Sequence, residues 1–169
     1  MKYAICTLLL SLGVACGGSQ QQQTTVPEAE PASDPVVVEP VAEADPTDVH
    51  IVGDHVTIDG HINFGTDSDV ILADSHTLID HIALLLGHHT DEIGHLRIIG
   101  HTDTAGGHAH NVELSERRAA AVENALRERG VSIQLEHTGV GESEPVCEED
   151  TDECHARNRR VEFLIVAAE

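Results

Sequence analysis

Leu96-Arg97-Ile98-Ile99-Gly100-His101-Thr102-Asp103, then Gly106-Gly107, then Leu114-Ser115-Glu116-Arg117-Arg118-Ala119 running on to Arg129 and Gly130, is the stretch on which the fold turns. Its first four residues read as a short apolar strand that ends at Gly100. A glycine-flanked loop follows. From Leu114 to Arg129 the residues are good helix formers, with Ser115 as candidate N-cap and Gly130 as the C-terminal stop. Ala119, Val122, Ala125 and Leu126 recur at helical spacing and supply a buried stripe. Working outward, His55-Val56-Thr57-Ile58, Asp59-Gly60 and His61-Ile62-Asn63-Phe64 have the alternation and the Asp-Gly turn of a β-hairpin. Val70, Ile71, Leu78, Ile79, Ile82, Leu85 and Leu86 then predict a first helix through about His88. Downstream, strands are expected around Ile133 to Val140 and Val161 to Val166. Strands alternating with two substantial helices indicate an α/β sandwich, with helices packed on one face of a mixed β-sheet.

Within the decisive stretch, Arg117 and Arg118 fall in the first turn of the expected helix, where the macrodipole disfavours positive charge by about 0.3–1 kcal/mol. Either Glu113 and Glu116 compensate, or an arginine is held there to meet an anionic ligand. Asp103 lies in the glycine-flanked loop, which a strand–loop–helix crossover can bring beside the helix. A carboxylate and a guanidinium side by side form a receptor for a zwitterionic amino-acid head; the alternative is a simple internal salt bridge.

The chain has 169 residues, with 9 Lys and Arg against 30 Asp and Glu, a formal charge of −21. That length accommodates one ordinary domain plus extensions. The acidic balance repels nucleic acid and anionic lipid headgroups. Aromatic residues make up 2% of the chain and there is no tryptophan, so a base- or sugar-stacking platform has no material. No Ser-His-Asp order and no activated cysteine stands out, and no catalytic residue is assigned.

Residues 1–15 read as a secretory signal: Lys2, an apolar run from Tyr3 to Leu10 too short to span a bilayer, then small residues before Cys16. A cysteine at that place resembles the bacterial lipoprotein box, in which the thiol receives a lipid. Gly17 after it then favours the outer membrane, with the remainder of the chain in the periplasm. From Cys16 to residue 48 the chain is rich in Gln, Pro and acid and carries no positive charge. Such a composition stays extended as a disordered tether. The globular domain is placed at 49–169.

Cys147 and Cys154 flank an acidic run. In an exported protein they form a disulfide that closes this loop, worth about 2–2.5 kcal/mol by chain entropy. The alternative, a metal site completed by His155 and a carboxylate, is disfavoured because zinc sites use closer cysteine pairs. The 13 histidines include His88-His89 and His108-Ala109-His110 and raise a rival function as a periplasmic metal-binding protein. Their scatter shows no repeated ligand spacing, and no metal ligand is assigned.

Gly100-His101-Thr102-Asp103, Gly106, Asn111, Leu114 to Ala119, Gly139 to Gly141 with Glu142, Pro145 and Asn158-Arg159-Arg160-Val161-Glu162 together resemble the OmpA-like peptidoglycan-binding domain family. The resemblance covers about residues 50–169. It implies a βαβαββ sandwich and, with no cofactor, non-covalent binding of the peptidoglycan stem peptide through its diaminopimelate residue. By that resemblance Asp103 and Arg118 would grip the ammonium and carboxylate of the diaminopimelate side chain. Asn111 and Leu114 would line the pocket. Phe64 to Asp67, including Thr66, match the loop whose backbone faces the ligand, and Arg159 belongs to the motif that closes the site. Gly65 and Thr66 stand where relatives often carry an acidic–aromatic pair. Combined with a lipid anchor, the domain implies tethering of the outer membrane to the cell wall. The family also implies an interaction module for a periplasmic β-propeller protein that meets the same surface.

Overall fold

The computed structural model describes residues 45–167. The expected signal, Cys16 and the tether up to residue 44 lie outside the described residues. Five strands, β1 (Val49–Val52), β2 (His55–Ile58), β3 (Ile93–His101), β4 (Gln134–Gly141) and β5 (Val161–Ala167), form one sheet in the order β1-β2-β5-β3-β4. Only β3 and β4 run parallel; the other neighbours are antiparallel. Helix α1 (His76–His88) packs against β1 and α2 (His108–Glu128), and α2 lies on β3 and β4. A short helix α3 (Asp152–Asn158) precedes β5. The expected α/β sandwich with a mixed sheet is therefore present, its βαβαββ succession extended in front by β1. Phe163, 1% exposed, sits opposite Val56 on one side and Ile98 on the other at the centre of the core.

Several local expectations are corrected. The hairpin joins β1 to β2 through Gly53-Asp54, not β2 to His61–Phe64 through Asp59-Gly60. Gly53 has φ +64°, the sign that a type II′ hairpin turn asks of its first central residue. Asn63 to Leu72 instead form a closed loop, with Leu72 N–H bonded to Asn63 O at 2.9 Å, Gly65 N–H to Val70 O at 3.0 Å and a single bridge between Phe64 and Ile71. Val70 and Ile71 thus belong to this loop and not to α1. Helix α2 starts six residues before the expected Leu114, after Gly107. Ser115 is no N-cap: it is fully buried in mid-helix, and its Oγ donates to Val112 O and accepts from Gly141 N–H, each at 2.9 Å. Arg117 and Arg118 consequently lie away from the helix terminus, and the dipole argument no longer applies to them.

The contact between α2 and the sheet is unusually close. Gly100 of β3 and Gly139 of β4 are register partners. A Cβ on Gly100 would overlap Ser115 O, and one on Gly139 would overlap Glu116 N. Cys147 and Cys154 are joined as a disulfide, and the segment it closes includes the start of α3. Thr151 caps that helix, its Oγ1 accepting from Cys154 N–H at 3.2 Å. Asn158, 3% exposed, binds the base of the segment: its Oδ1 accepts from Val146 and Cys147 N–H and its Nδ2 donates to Cys147 O.

At the start of the described chain, Asp45 accepts from His88 at 2.7 Å and His89 at 3.2 Å, and Asp48 from His81 at 2.7 Å. The bonds from His88 and then His89 lower the Asp45 pKa, and the bond to Asp45 raises that of His89. The raised His89 contributes stability in full below its unfolded value near pH 6.5, and loses it as pH rises through the folded value. The depressed Asp45 contributes in full above about pH 4 and loses it as pH falls through its folded value. Both contributions are complete between about pH 4 and 6.5. Asp45→Ala should therefore lower the melting temperature at pH 5.5 more than at pH 8.5, as read by paired thermal melts.

Gly100→Ala and Gly139→Ala should each cost about 3 kcal/mol in urea titration, because backbone rather than a movable side-chain tip meets the new methyl group. Gly87→Ala in α1, where nothing lies within 4 Å, should instead add about 0.5–1 kcal/mol.

Candidate functional site

The residues singled out from the sequence converge on one cleft. Phe64, Thr66 and Asp67 come from the closed loop, Asp103 from the segment after β3, Asn111, Leu114 and Arg118 from α2, and Arg159 from the end of α3. All eight line a cavity of about 420 Å³. Asn111, Leu114 and Arg118 are spaced by three and four residues, which places them on one face of α2. The register of that face is set by Ser115 against the sheet glycines.

Arg118 is 8% exposed. Its Nε donates to Ser68 O at 2.9 Å and its Nη2 to Gly65 O at 3.4 Å. Its guanidinium carbon stands 5.0 Å from the Phe64 ring centroid, within cation–π range. Burial, then the neighbouring Arg159 charge, lowers its pKa, while Asp103 and Asp67 act in the opposite sense. The side chain thus ties α2 to the loop and reaches the cleft, and these two bonds go to carbonyl oxygens, not to a carboxylate.

Asp103 does not pair with Arg118. Its Oδ2 accepts from Arg159 Nη1 at 2.6 Å and its Oδ1 from Ala105 N–H at 3.1 Å. The Asp103 side chain is 14% exposed and that of Arg159 46%, so the pair has a solvent-facing cationic partner that a ligand ammonium can displace. Asn111, 2% exposed, donates from Nδ2 to Asp103 O at 3.3 Å and fixes the loop that carries the carboxylate. Leu114 supplies an apolar wall, 6% exposed.

Three contributors to the cleft were not singled out from the sequence: the Ser68 carbonyl, Thr102 and His110. The Ser68 carbonyl holds Arg118 together with that of Gly65, which belongs to the loop whose backbone the resemblance turned toward the site. Thr102 Oγ1 is buried without a hydrogen-bond partner and lines the cleft; its place in Gly-His-Thr-Asp was the available clue. His110 Nε2 lies 2.8 Å from Asp67 Oδ1 and joins the two walls, whereas the sequence offered it only as one of a histidine pair. Asp67 itself has φ +50°, a left-handed conformation that aspartate tolerates better than most residues. Among the described residues no group of three or more His, Cys, Asp or Glu side chains is placed to hold a metal ion. Nor is any described helix long and apolar enough to cross a membrane.

The strand–loop–helix unit that carries Gly-His-Thr-Asp lies in a segment of the chain that matches a known family. Residues 63–159 match the OmpA family. The chain belongs to that family. It is 36% identical over 105 residues to the outer-membrane lipoprotein YfiB of Pseudomonas aeruginosa, covering 62% of this chain and 61% of that one. It is 44% identical over 71 residues to the peptidoglycan-associated lipoprotein of Legionella pneumophila, covering 41% of this chain and 40% of that one. In structure it resembles the peptidoglycan-associated lipoprotein of Burkholderia pseudomallei, with a TM-score of 0.54 and 30% identity over 63% of this chain and 88% of that one. The cell wall anchor of the P. aeruginosa T6SS is similar at a TM-score of 0.57 and 28% identity, covering 71% of this chain and 87% of that one. The matches span little more than half the length of relatives such as YfiB, at 61%, and the Bordetella avium outer membrane protein A, at 54%.

Arg118→Lys keeps the charge, but one ammonium cannot reproduce the planar fork that reaches two carbonyls while facing the Phe64 ring. The substitution should cost about 1–2 kcal/mol. It should also raise amide hydrogen exchange across residues 64–71. Arg117→Lys, whose exposed side chain among the described residues pairs only with Glu113, at 2.7 Å, should change neither.

Proposed function

We propose that this domain binds peptidoglycan non-covalently by gripping the diaminopimelate residue of the stem peptide, without cleaving it. The free end of that side chain carries an ammonium and a carboxylate on one carbon. Asp103 would accept the ammonium, releasing Arg159, and Arg118 would donate to the carboxylate. Leu114 and the Phe64 ring would flank the methylene chain, with Thr66 and Asp67 on the loop opposite. The observation that carries this reading is the placement of Asp103 and the buried Arg118 in one cleft, each already oriented by bonds to the backbone. Such groups need little further ordering when a ligand arrives.

Binding rather than catalysis is supported by the lining. Thr66 and Thr102 supply its hydroxyls, and neither makes a hydrogen bond to a side-chain base among the described residues. A chain of net charge −21 meeting an anionic wall also needs local positive charge, which Arg118 and Arg159 provide. The relatives that are lipoproteins support the wider reading of the N-terminus. Residues 1–15 would direct export, Cys16 would carry lipid in the outer membrane, and residues 16–48 would let the domain reach the wall.

Calorimetry of the full chain with a diaminopimelate-containing stem peptide tests this. Saturable binding is expected, weakened about tenfold or more by Asp103→Asn, which removes charge while keeping shape. A peptide with lysine in place of diaminopimelate lacks the terminal carboxylate and should lose a comparable factor. Equal affinity for both peptides would remove Arg118 from its role. No binding by the folded protein would overturn the function.

A further inference from the structure

The residues that lead into β1 are fastened along one helix. Asp45 accepts from His88 at 2.7 Å and from His89 at 3.2 Å, and Asp48 accepts from His81 at 2.7 Å. His81 and His88 stand seven residues apart, two turns of α1, or about 10.5 Å along its axis. The three steps of chain from Asp45 to Asp48 reach at most about 10–11 Å. The anchor points on the two segments therefore match in spacing. Pro46 between them biases Asp45 toward an extended backbone and leaves no N–H of its own to satisfy.

The two ends of this strap lie at different heights on the sheet. His89 O accepts from Ile93 N–H at 3.1 Å, so the end of α1 sits at the start of β3. The cleft is at the other end of that strand, where Asp103 follows His101, about 25 Å away at the rise of a strand. β1 begins toward the cleft end. Val49 pairs with Ile58, Val56 with Phe163 and Gly100 with Val161, which brings the first residue of β1 level with Gly100. Asp48 is held there through its backbone as well, its carbonyl accepting from Asp59 N–H at 2.8 Å. Only the stretch before it depends on the His88 and His89 bonds.

Those bonds, His88 first, hold the Asp45 carboxyl below the usual carboxylate range, and the bond to Asp45 raises His89. His89 thus strengthens the contact in full below about pH 6.5 and ceases to do so as pH rises through its folded value. Asp45 strengthens it in full above about pH 4 and ceases to as pH falls through its own. Glu92, 3.6 Å from His89, adds to the negative surroundings of that ring. The other charged groups about α1 are engaged elsewhere: Arg129 of α2 with Asp80, His50 of β1 with Asp59 at 3.7 Å, and Asp74 before the helix with Asn63 at 3.1 Å.

We propose that residues 45–47 are a releasable strap: fastened to the end of α1 in mild acid, it makes the chain enter the domain at the end of the sheet opposite the cleft, and released toward alkaline pH it moves that entry to Asp48, nearer the cleft. From residue 17 to Asp45 the sequence carries no Lys or Arg. The fastened strap therefore joins this acidic stretch to the domain away from Arg118 and Arg159. The inference goes beyond the binding role proposed above and does not depend on what the cleft takes.

Nuclear Overhauser spectra of the full chain at pH 5.5 and pH 8.5, without ligand, test it. Contacts between the ring protons of His88 and His89 and the β-protons of Asp45 should be present at pH 5.5 and lose about half their intensity or more at pH 8.5. Contacts between Ile98 and Phe163 across the sheet should stay constant and report an intact fold. Asp45→Asn keeps the shape and an acceptor oxygen but not the charge, and should show the weak pattern at both pH values. Equal intensity at the two pH values in the unaltered protein would overturn the proposal, as would contacts absent at both. A pH step that survives in Asp45→Asn would also overturn it, because another group would then be responsible.

Discussion

The placement of the helix side chains that enter the cleft depends on how closely α2 lies on the parallel pair β3–β4. Gly100 and Gly139, side by side in register, remove the two Cβ atoms that would hold the helix off, and Ser115 occupies the space. Its hydroxyl bonds to Gly141 N–H and the Glu116 carboxylate accepts from Gly139 N–H, so helix side chains satisfy donors that an edge strand would otherwise present to water. Glycine in a strand is a weakness in isolation. Here it is the condition for a contact that fixes both the rotation and the height of α2. With those set, Asn111, Leu114 and Arg118 have no choice of direction.

From that constraint follows the character of the site. Arg118 is rooted in a rigid helix and its guanidinium is held by two carbonyls of the loop, so the loop's position and the arginine's position are one variable. Asp103 is fixed separately, by Ala105 N–H and by the bond from Asn111 to its own carbonyl. The remaining partner, Arg159, is the exposed member and projects from the segment stapled by Cys147–Cys154 and bound by Asn158. In the binding mode proposed above, a ligand ammonium would compete with this outer, water-screened ion pair, and the buried Arg118 would stay in place.

The sheet and the two main helices were legible because apolar spacing leaves a pattern in residue type. Of the cleft residues only Asp103 and Arg118 carried a pattern of their own, charged side chains in and after a glycine-flanked loop, while Phe64, Thr66, Asp67, Asn111, Leu114 and Arg159 came with the resemblance to the family. Boundaries were less legible. Ser115 before a charged turn looks like a cap, and only the buried partner Gly141 N–H, twenty-six residues on, reveals it as a packing residue. Asp59-Gly60 is a stronger hairpin signal by composition than Gly53-Asp54. The core decided otherwise, because pairing β1 with β2 buries Val49 and Val56 together while Ile62 reaches the core from a loop. The pairing of Asp103 with Arg159 instead of Arg118 could not be read, since α3 and its insertion set it.

The scattered histidines, assigned no metal ligand from the sequence, have carboxylate neighbours in the structure. Eleven of the 13 lie within 4 Å of an aspartate or glutamate oxygen. In a domain with no lysine and few arginines, imidazoles are the remaining groups that can meet a carboxylate surplus. Neutral, they act as hydrogen-bond donors; protonated, they become counter-charges. His101 is set apart from this population: it is buried, its charged form is disfavoured, and Glu162 is held by Arg160.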